Sequence, residues 1–497
     1  MGATSEAAVS LRHGKSLVLL AVLYAGLNAV KPLQVDDAAY LYFARQIAQK
    51  PLDPYGFSFQ WYSTPDRANE ILAPPILLYW LGAAVRLGDQ PWLWKLMLLP
   101  WSLLFVGSLY ALFRRFARGL ELALTWFTVL SPAFLPALNL MLDVPALGLA
   151  LASVALFLRA CDQRSFGLAA LAGLLAGMGM ETKYTAILAL MAMLLAAILQ
   201  RQLLLGLVAA CVAGQTFATW ELLTSLLYGK SHFFMALDQP GRQADPEIGW
   251  LFEKLQRLPA LLSILGSVGA AGLLLGLAAL GVGRKTLLAA AGALGLGYLV
   301  IAVFDFQFRG MLSARVFGAK AELSLYGQHA EVVFYGVALV GLLVLGAVIG
   351  KLWTLAGDVE QGVHFPRRDT LFLVLWLGLE GALYFPMTDF PAVRRVLGIG
   401  VVLMLLLGRL AAATCRSRER RQVLAAVWAV GIALGLGHFV LDWREAWVFK
   451  KATETARDWI AEQGGGRTWY LGHWSFQFYA ERLGMEPLVV DYNSHES

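Results

Sequence analysis

The sequence has few charged residues and very few cysteines, and both shortages narrow what the protein can be. Only 15% of the 497 residues are Asp, Glu, Lys or Arg, whereas typical soluble domains carry about 25%. Together with 58% hydrophobic residues, this composition excludes a soluble globular enzyme, a disordered chain and a fibrous protein. Three cysteines with no CxxC pair give no basis for a disulfide framework or a thiolate metal site.

The chain also has no basic run interleaved with aromatic residues, so we expect no nucleic-acid partner. Its net charge of +6 indicates membrane orientation instead, because the cytoplasmic loops of membrane proteins collect Lys and Arg. The densest basic group is Arg416–Arg421, which holds four arginines. With this group on the inner side, the N-terminus is cytoplasmic and the C-terminus lies outside.

Long apolar runs are what the sequence has in abundance. A helix needs about 20 apolar residues to cross a bilayer. The chain has about thirteen such runs, among them 15–33, 119–137 and 423–441. The first run follows Arg12 and Lys15 without a small-residue cleavage site, so we interpret it as an uncleaved first span. The pattern predicts an all-α polytopic membrane protein embedded in the lipid bilayer.

Four longer segments fall on the outer side of this topology: 34–91, 229–258, 306–331 and the stretch from 442. We expect the first to form amphipathic helices on the membrane surface, because Trp61 and Trp80 suit an interface. The last reads as a helix, three glycines, a strand-like stretch and a helix-like stretch, which is typical of a small α/β appendage. The predicted domains are a transmembrane domain, 1–441, and an extracytoplasmic segment, 442–497.

Three acidic residues lie close to the outer ends of spans. Asp36 and Asp37 follow the first span directly, and Asp143 opens a later span two residues before Pro145. Ionisable side chains at membrane depth are costly and mark functional sites, and one shielded carboxylate could deprotonate a hydroxyl. Helix capping and a favourable helix dipole are the alternative explanation for all three.

Basic and aromatic residues gather on the same side. Lys183 and Tyr184 occupy a turn where they could bind a phosphate, although a lysine at a span end also snorkels without a ligand. Arg394 and Arg395 open a late span from outside, against the positive-inside trend. One explanation is a bound phosphate, which guanidinium matches bidentately. The other is an ion pair with Asp389 or Glu380. His232 with an acid could hold a divalent ion, while a hydrogen-bonded histidine is the commoner case.

Four of these features recur together in one known group of enzymes. They are a span followed by Asp36-Asp37 at the head of a surface helix, Leu142-Asp143-Val144-Pro145 opening a later span, Thr182-Lys183-Tyr184 after a Gly-rich span, and Arg394-Arg395 near the start of a late span. In this combination the chain resembles the membrane glycosyltransferases of the GT-C fold. It is most similar to family 39 and its relatives, which include the protein O-mannosyltransferases and the lipid A aminoarabinose transferase. That family often has Asp-Glu where this chain has Asp36-Asp37, so either acid could be catalytic.

The resemblance implies an inverting sugar transfer on the outer face of the cytoplasmic membrane. The donor would be a polyprenyl-phosphate-linked sugar, and the acceptor a hydroxyl of a lipid, a glycan or a protein. A divalent metal ion is the one cofactor that the resemblance leaves open. The residue roles that it implies are Asp36 or Asp37 as the base, Lys183, Arg394 and Arg395 on the donor phosphate, and Asp143 orienting the acceptor or a metal. From the residues themselves we add Tyr184 on the donor phosphate and His232 as a metal ligand.

Three other functions compete with this interpretation. A flippase or transporter of lipid-linked sugars would need polar residues along the whole crossing, whereas the charges here gather at the outer ends of the spans. An O-antigen-type polymerase or ligase relies on arginines in a large late outer loop, and the largest outer segment here comes early. In a non-catalytic scaffold the acidic pair would only cap a helix.

Overall fold

The computed structural model describes residues 2–61, 65–71, 73–237, 257–307, 328–356, 366–388 and 392–488. Most of the predicted outer segments 229–258 and 306–331 therefore lie outside the described residues. Within the described part, secondary structure is almost entirely helical, with two short pairs of strands: β1 Ser58–Gln60 with β2 Pro65–Arg67, and β3 Trp469–Tyr470 with β4 Glu486–Pro487. The predicted all-α class is confirmed.

Most of the described residues lie in helices. In chain order they are α1 Gly2–Ala29, α2 Asp37–Gln49, α3 Pro75–Leu87, α4 Pro91–Leu96, α5 Leu99–Phe116, α6 Glu121–Val129, α7 Asp143–Gln163, α8 Phe166–Met180, α9 Ile187–Leu199, α10 Leu203–Tyr228, α11 His232–Leu237, α12 Leu258–Leu280, α13 Arg284–Gln307, α14 Gln328–Leu355, α15 Arg367–Met387, α16 Leu397–Thr414, α17 Arg418–Glu462 and α18 Trp474–Arg482. Among the described residues, eight helices have the length and apolar composition to cross a membrane. Three shorter apolar helices accompany them.

One predicted span differs from the structure. The apolar run 119–137 forms a nine-residue α6, which at 1.5 Å per residue is about 14 Å long and covers about half of a bilayer core. Pro132 and Pro136 follow within the same run. Proline lacks the backbone N–H that a helix interior needs and clashes with the preceding turn. The run therefore continues as turns and a single 3₁₀ turn, Leu135–Ala137.

The chain divides into two compact units. The first comprises 1–109, 136–243 and 438–497, and the second comprises 110–135 and 244–437. Residues 438–497 thus group with the N-terminal part of the chain, whereas the sequence predicted a boundary at 441. That predicted division stays a prediction.

In the first unit, α2 is amphipathic, as predicted for the segment that follows the first helix. Its residues Ala39, Phe43 and Ile47 are four positions apart and lie on one buried face, packed with Tyr55. Gly82 of α3 allows the close approach of the two helices, because an added Cβ there would lie 2.9 Å from a methyl carbon of Ile47. The acidic pair at the start of α2 is thereby set on a packed element.

The C-terminal end of the first unit is a small α/β element, as predicted. After the 45-residue helix α17, Gly464–Gly466 all adopt positive φ angles, which glycine reaches without strain. Strand β3, Trp469–Tyr470, then pairs in parallel with β4, Glu486–Pro487, and α18 connects them. We call residues 469–487 the C-terminal module.

The second unit packs its helices closely through small residues. An added Cβ at Gly266 of α12 would lie 1.8 Å from the carbonyl oxygen of Phe334 in α14, so only glycine fits this crossing. A buried arginine, Arg409 of α16, donates to Thr370 Oγ1 at 3.2 Å and to the Pro366 carbonyl at 3.1 Å. Its charge therefore has polar partners inside the apolar helices, as burial requires.

Candidate functional site

The two acids of the predicted pair have different environments. The Asp37 side chain is fully buried, and its Oδ2 accepts a hydrogen bond from the Gln34 backbone N–H at 2.9 Å. The same oxygen lies 3.3 Å from Nζ of Lys95, whose side chain is also fully buried. Asp36, in contrast, is half-buried at the N-cap position of α2 and accepts no capping hydrogen bond there. Asp37 is thus committed to an internal ion pair, and Asp36 is the more accessible acid.

Asp143 and Lys183 contact each other. Asp143 is the first residue of α7, and Lys183 lies in the turn after α8. The lysine Nζ donates a hydrogen bond to Asp143 Oδ1. The lysine side chain is 17% exposed and the aspartate side chain 7%. A positive charge is thus held beside a carboxylate in a largely buried position.

Tyr184 is part of a buried hydrogen-bond network. Its hydroxyl donates to Glu221 Oε1 at 2.6 Å and lies 3.1 Å from Nδ1 of His232. The other oxygen of Glu221 accepts hydrogen bonds from Ser231 Oγ at 2.5 Å and from the Phe233 backbone N–H at 2.9 Å. Glu221 therefore accepts hydrogen bonds from three donors. The predicted contact of Tyr184 with a phosphate stays a prediction.

His232 is held by protein groups on both ring nitrogens. Its Nε2 lies 2.7 Å from the Ile71 carbonyl oxygen, its Nδ1 faces Tyr184, and its ring stacks on Tyr55 at 5.0 Å between centroids. Burial lowers the pKa of His232. No group of three His, Cys, Asp or Glu side chains that could hold a metal occurs in the part of the chain that the structure describes. The role of His232 as a metal ligand stays a prediction.

Glu181 is a residue that the sequence interpretation did not single out. It directly follows α8, is 2% exposed, and neither carboxyl oxygen has a hydrogen-bond partner among the described residues. Burial, and then the negative charge of Glu221, raise the pKa of Glu181 to about 9. Near neutral pH this carboxyl group therefore keeps its proton. The available signal was an acid at the end of a Gly-rich apolar run, next to the more conspicuous Lys183.

Arg394 and Arg395 belong to the second unit. They lie in the 3₁₀ turn Val393–Arg395 before α16, and both are half-buried. Arg395 and Arg257 act electrostatically on the buried Tyr384 hydroxyl. Of the two acids that could pair with the arginines, Glu380 accepts a hydrogen bond from Trp376 Nε1 at 3.1 Å. The other, Asp389, lies outside the described residues.

One part of the chain matches a known protein family. Residues 73–220 match the model of the dolichyl-phosphate-mannose-protein mannosyltransferase family. This confirms the predicted resemblance. The matched segment contains Asp143, Lys183 and Tyr184, whereas Asp36 and Arg394 lie outside it. The match covers less than a third of the chain.

The fold was also compared with solved structures. The oligosaccharyltransferase AglB of Archaeoglobus fulgidus, in complex with an inhibitory peptide and a dolichol-phosphate, is 14% identical and has a TM-score of 0.49 over 90% of this chain and 58% of its own. The apo form of the Archaeoglobus fulgidus oligosaccharyltransferase is 12% identical, with a TM-score of 0.48 over 89% and 57%. A complex of that oligosaccharyltransferase with Zn and sulfate is 14% identical, with a TM-score of 0.47 over 89% and 55%. The chain thus spans less than two thirds of these enzymes. Among curated proteins, none matches it.

Proposed function

We propose that the protein is an inverting glycosyltransferase that moves a sugar from a polyprenyl-phosphate donor to an acceptor hydroxyl at the outer face of the cytoplasmic membrane. The observation that carries the proposal is the difference between the two acids. Asp37 is fixed in an internal ion pair with Lys95, while Asp36 stands half-buried at the start of an amphipathic helix. The family match at 73–220 supports the same enzyme class.

In this mechanism Asp36 is the general base. Its carboxylate takes the proton of the acceptor hydroxyl as the oxygen attacks the anomeric carbon of the donor sugar. The bond between that carbon and the phosphate oxygen breaks, and the electron pair leaves with the polyprenyl phosphate. A single direct displacement inverts the anomeric configuration. Partial burial suits this role because it shields the carboxylate from bulk water without closing the site to the acceptor.

Lys183 is proposed to stabilise the leaving phosphate. Its charge sits beside Asp143, and part of its side chain remains exposed. A positioned cation next to developing negative charge is one of the strongest contributions that a protein makes to such a step. Asp143 fixes the lysine in place and is proposed to orient the acceptor. The donor-phosphate role predicted for Arg394 and Arg395 is kept as a separate proposal.

The possible metal cofactor was tested against the donor atoms of the chain. The described residues offer no set of three metal-ligating side chains, and both ring nitrogens of His232 face protein groups. These residues do not form a divalent-ion site as they stand. We therefore derive no step through a metal ion.

A transfer assay tests the proposal. Purified protein in nanodiscs receives a panel of short-chain polyprenyl-phosphate sugars with lipid, glycan and peptide acceptors, and released polyprenyl phosphate is measured. We expect release by the wild type and a loss of at least 100-fold for Asp36→Asn, and we test Arg395→Ala in the same assay. Asp162→Asn is the matched control, because this acid is exposed at the end of α7.

Two outcomes contradict the proposal. Release by Asp36→Asn at the wild-type rate would exclude Asp36 as the base. No release from any donor and acceptor pair, with well-folded protein, would favour the flippase interpretation, which a fluorescent lipid-linked sugar in vesicles reconstituted with the protein would then test.

A further inference from the structure

We propose that the C-terminal module, residues 469–487, positions α2 and the loop before Asp36 for catalysis. Tyr479 and Glu481 are the positioning residues. The inference rests on the proposed function, since it concerns the placement of Asp36. It gives a role to a segment that lies outside the matched family region. Three sets of contacts carry it.

The first contact is made to the loop before Asp36. The Tyr479 hydroxyl accepts a hydrogen bond from the Leu33 backbone N–H at 2.9 Å, and both residues are buried. A buried N–H that loses its acceptor destabilises the fold, so this contact fixes the path of the loop. Leu33 precedes Asp36 by only three residues. The Tyr479 hydroxyl therefore fixes the backbone three residues before the proposed base.

The second contact is made to α2 itself. Glu481 of α18 accepts a hydrogen bond from the hydroxyl of Tyr42, which lies on α2. The same carboxylate accepts from the Tyr470 hydroxyl at 2.8 Å and from Gln477 Nε2 at 3.2 Å, both within the module. One acid thus connects α2 to the strand and the helix of the module. Hydrogen bonds to a charged acceptor are the stronger kind.

The third set of contacts is made by charged and aromatic side chains. Phe478 packs edge-on against Trp94, with centroids 6.3 Å apart, and the Arg45 guanidinium lies 5.5 Å over its ring. Asp89 lies 3.6 Å from both Arg45 and Arg482. Trp94 directly precedes Lys95, the partner of Asp37. The module therefore contacts both α2 and the helix that supplies the internal ion pair.

These contacts bear on rate because catalysis depends on placement. A displacement of about 1 Å in a catalytic group can cost about 100-fold in rate without loss of substrate binding. Loosening the module should therefore lower kcat and leave KM for the donor nearly unchanged. A purely structural contribution would instead lower the amount of folded protein and leave the kcat of the folded fraction intact.

The experiment compares Tyr479→Phe and Glu481→Gln with Arg467→Gln. Arg467 is the matched control because its ion pair with Glu486, 2.6 Å long and exposed, lies within the C-terminal end of the chain and does not contact α2. We expect a tenfold or larger loss of kcat for the first two variants with KM within twofold, and no change for the control. Equal kinetics in all three variants would overturn the inference.

A second readout does not depend on activity. In a background with Cys211→Ala, which removes the exposed cysteine, Asp36→Cys introduces a thiol whose labelling rate reports the exposure of this position. Tyr479→Phe and Glu481→Gln should raise that rate severalfold, and Arg467→Gln should not. An unchanged rate would refute positioning by the module. If the wild type shows no turnover at all, the labelling rates still decide this inference, so its failure and that of the proposed function are distinguishable.

Discussion

Nζ of Lys95 and Oδ2 of Asp37 lie 3.3 Å apart, and both side chains are fully buried. Lys95 also donates to the Pro32 carbonyl at 2.8 Å, so one lysine holds the chain on both sides of the loop that leads into α2. Removing one partner of such a pair leaves an uncompensated buried charge. The resulting loss of stability is larger than the net stabilisation that the intact pair provides. Asp37 is therefore expected to act on stability and Asp36 on turnover.

The first prediction separates these two effects. Asp37→Asn should lower the free energy of unfolding by about 3 kcal/mol, because Lys95 loses its buried counter-charge. Asp36→Asn should leave stability within about 0.5 kcal/mol, because this side chain is only half-buried. Thermal unfolding of the detergent-solubilised variants measures both. Adding Lys95→Met to Asp37→Asn should recover part of the loss, and equal unfolding temperatures for the two single variants would contradict the assignment.

The second prediction concerns the Lys183–Asp143 pair. Lys183→Met should lower kcat/KM for the donor by about 100-fold, the usual scale for one lost electrostatic contact to a developing anion. Lys183→Arg should retain more activity than Lys183→Met because it keeps the charge. Steady-state release of polyprenyl phosphate provides the measurement. Lys230→Met is the control, since that lysine is exposed after α10, and the same loss in both variants would point to net charge and not to this position.

The third prediction follows from the pKa of Glu181, which is raised to about 9 by burial and by Glu221. In the folded protein the carboxyl group keeps its proton, whereas in the unfolded chain it ionises above its ordinary pKa of 4.5. The unfolded state therefore binds fewer protons in this window, and stability should fall as the pH rises from about 4.5 to about 9.

Glu181→Gln removes this titration while keeping the shape of the protonated acid. The unfolding temperature of the variant should depend less on pH between about 5 and 9 than that of the wild type. The difference should grow in favour of the variant towards the alkaline end. Parallel pH profiles for the two proteins would show that Glu181 is ionised in the fold.

The fourth prediction addresses the network around Tyr184. Tyr184→Phe removes one of the three donors to Glu221 and should cost about 1–2 kcal/mol of unfolding free energy. Because Ser231 contacts the same carboxylate, the combination with Ser231→Ala should be non-additive in a double-mutant cycle. Chemical denaturation of the two single variants and the double variant tests this. Strict additivity would mean that the two hydroxyls do not share Glu221 in solution.

The sequence predicted the helices and the general place of the site, since apolar runs and isolated charges are local signals. It could not decide between Asp36 and Asp37, because that choice depends on Lys95, which is distant along the chain. The raised pKa of Glu181 depends first on burial and then on Glu221, a residue of another helix. The early end of α6, by contrast, was readable from Pro132 and Pro136. What the sequence left open are contacts between elements, which no local pattern encodes.

The length of α17 has a consequence for how the chain tolerates insertions. Its 45 residues amount to about 68 Å at 1.5 Å per residue, more than twice the roughly 30 Å of a bilayer core. Asp442 of this helix pairs with Lys31 at 2.6 Å, which fixes the rotation of the helix at that point. One residue added between Asp442 and Glu462 would turn everything beyond it by about 100° around the helix axis. The C-terminal half of α17 therefore sets an angular register, and insertions there should be tolerated best in multiples that restore a whole number of turns.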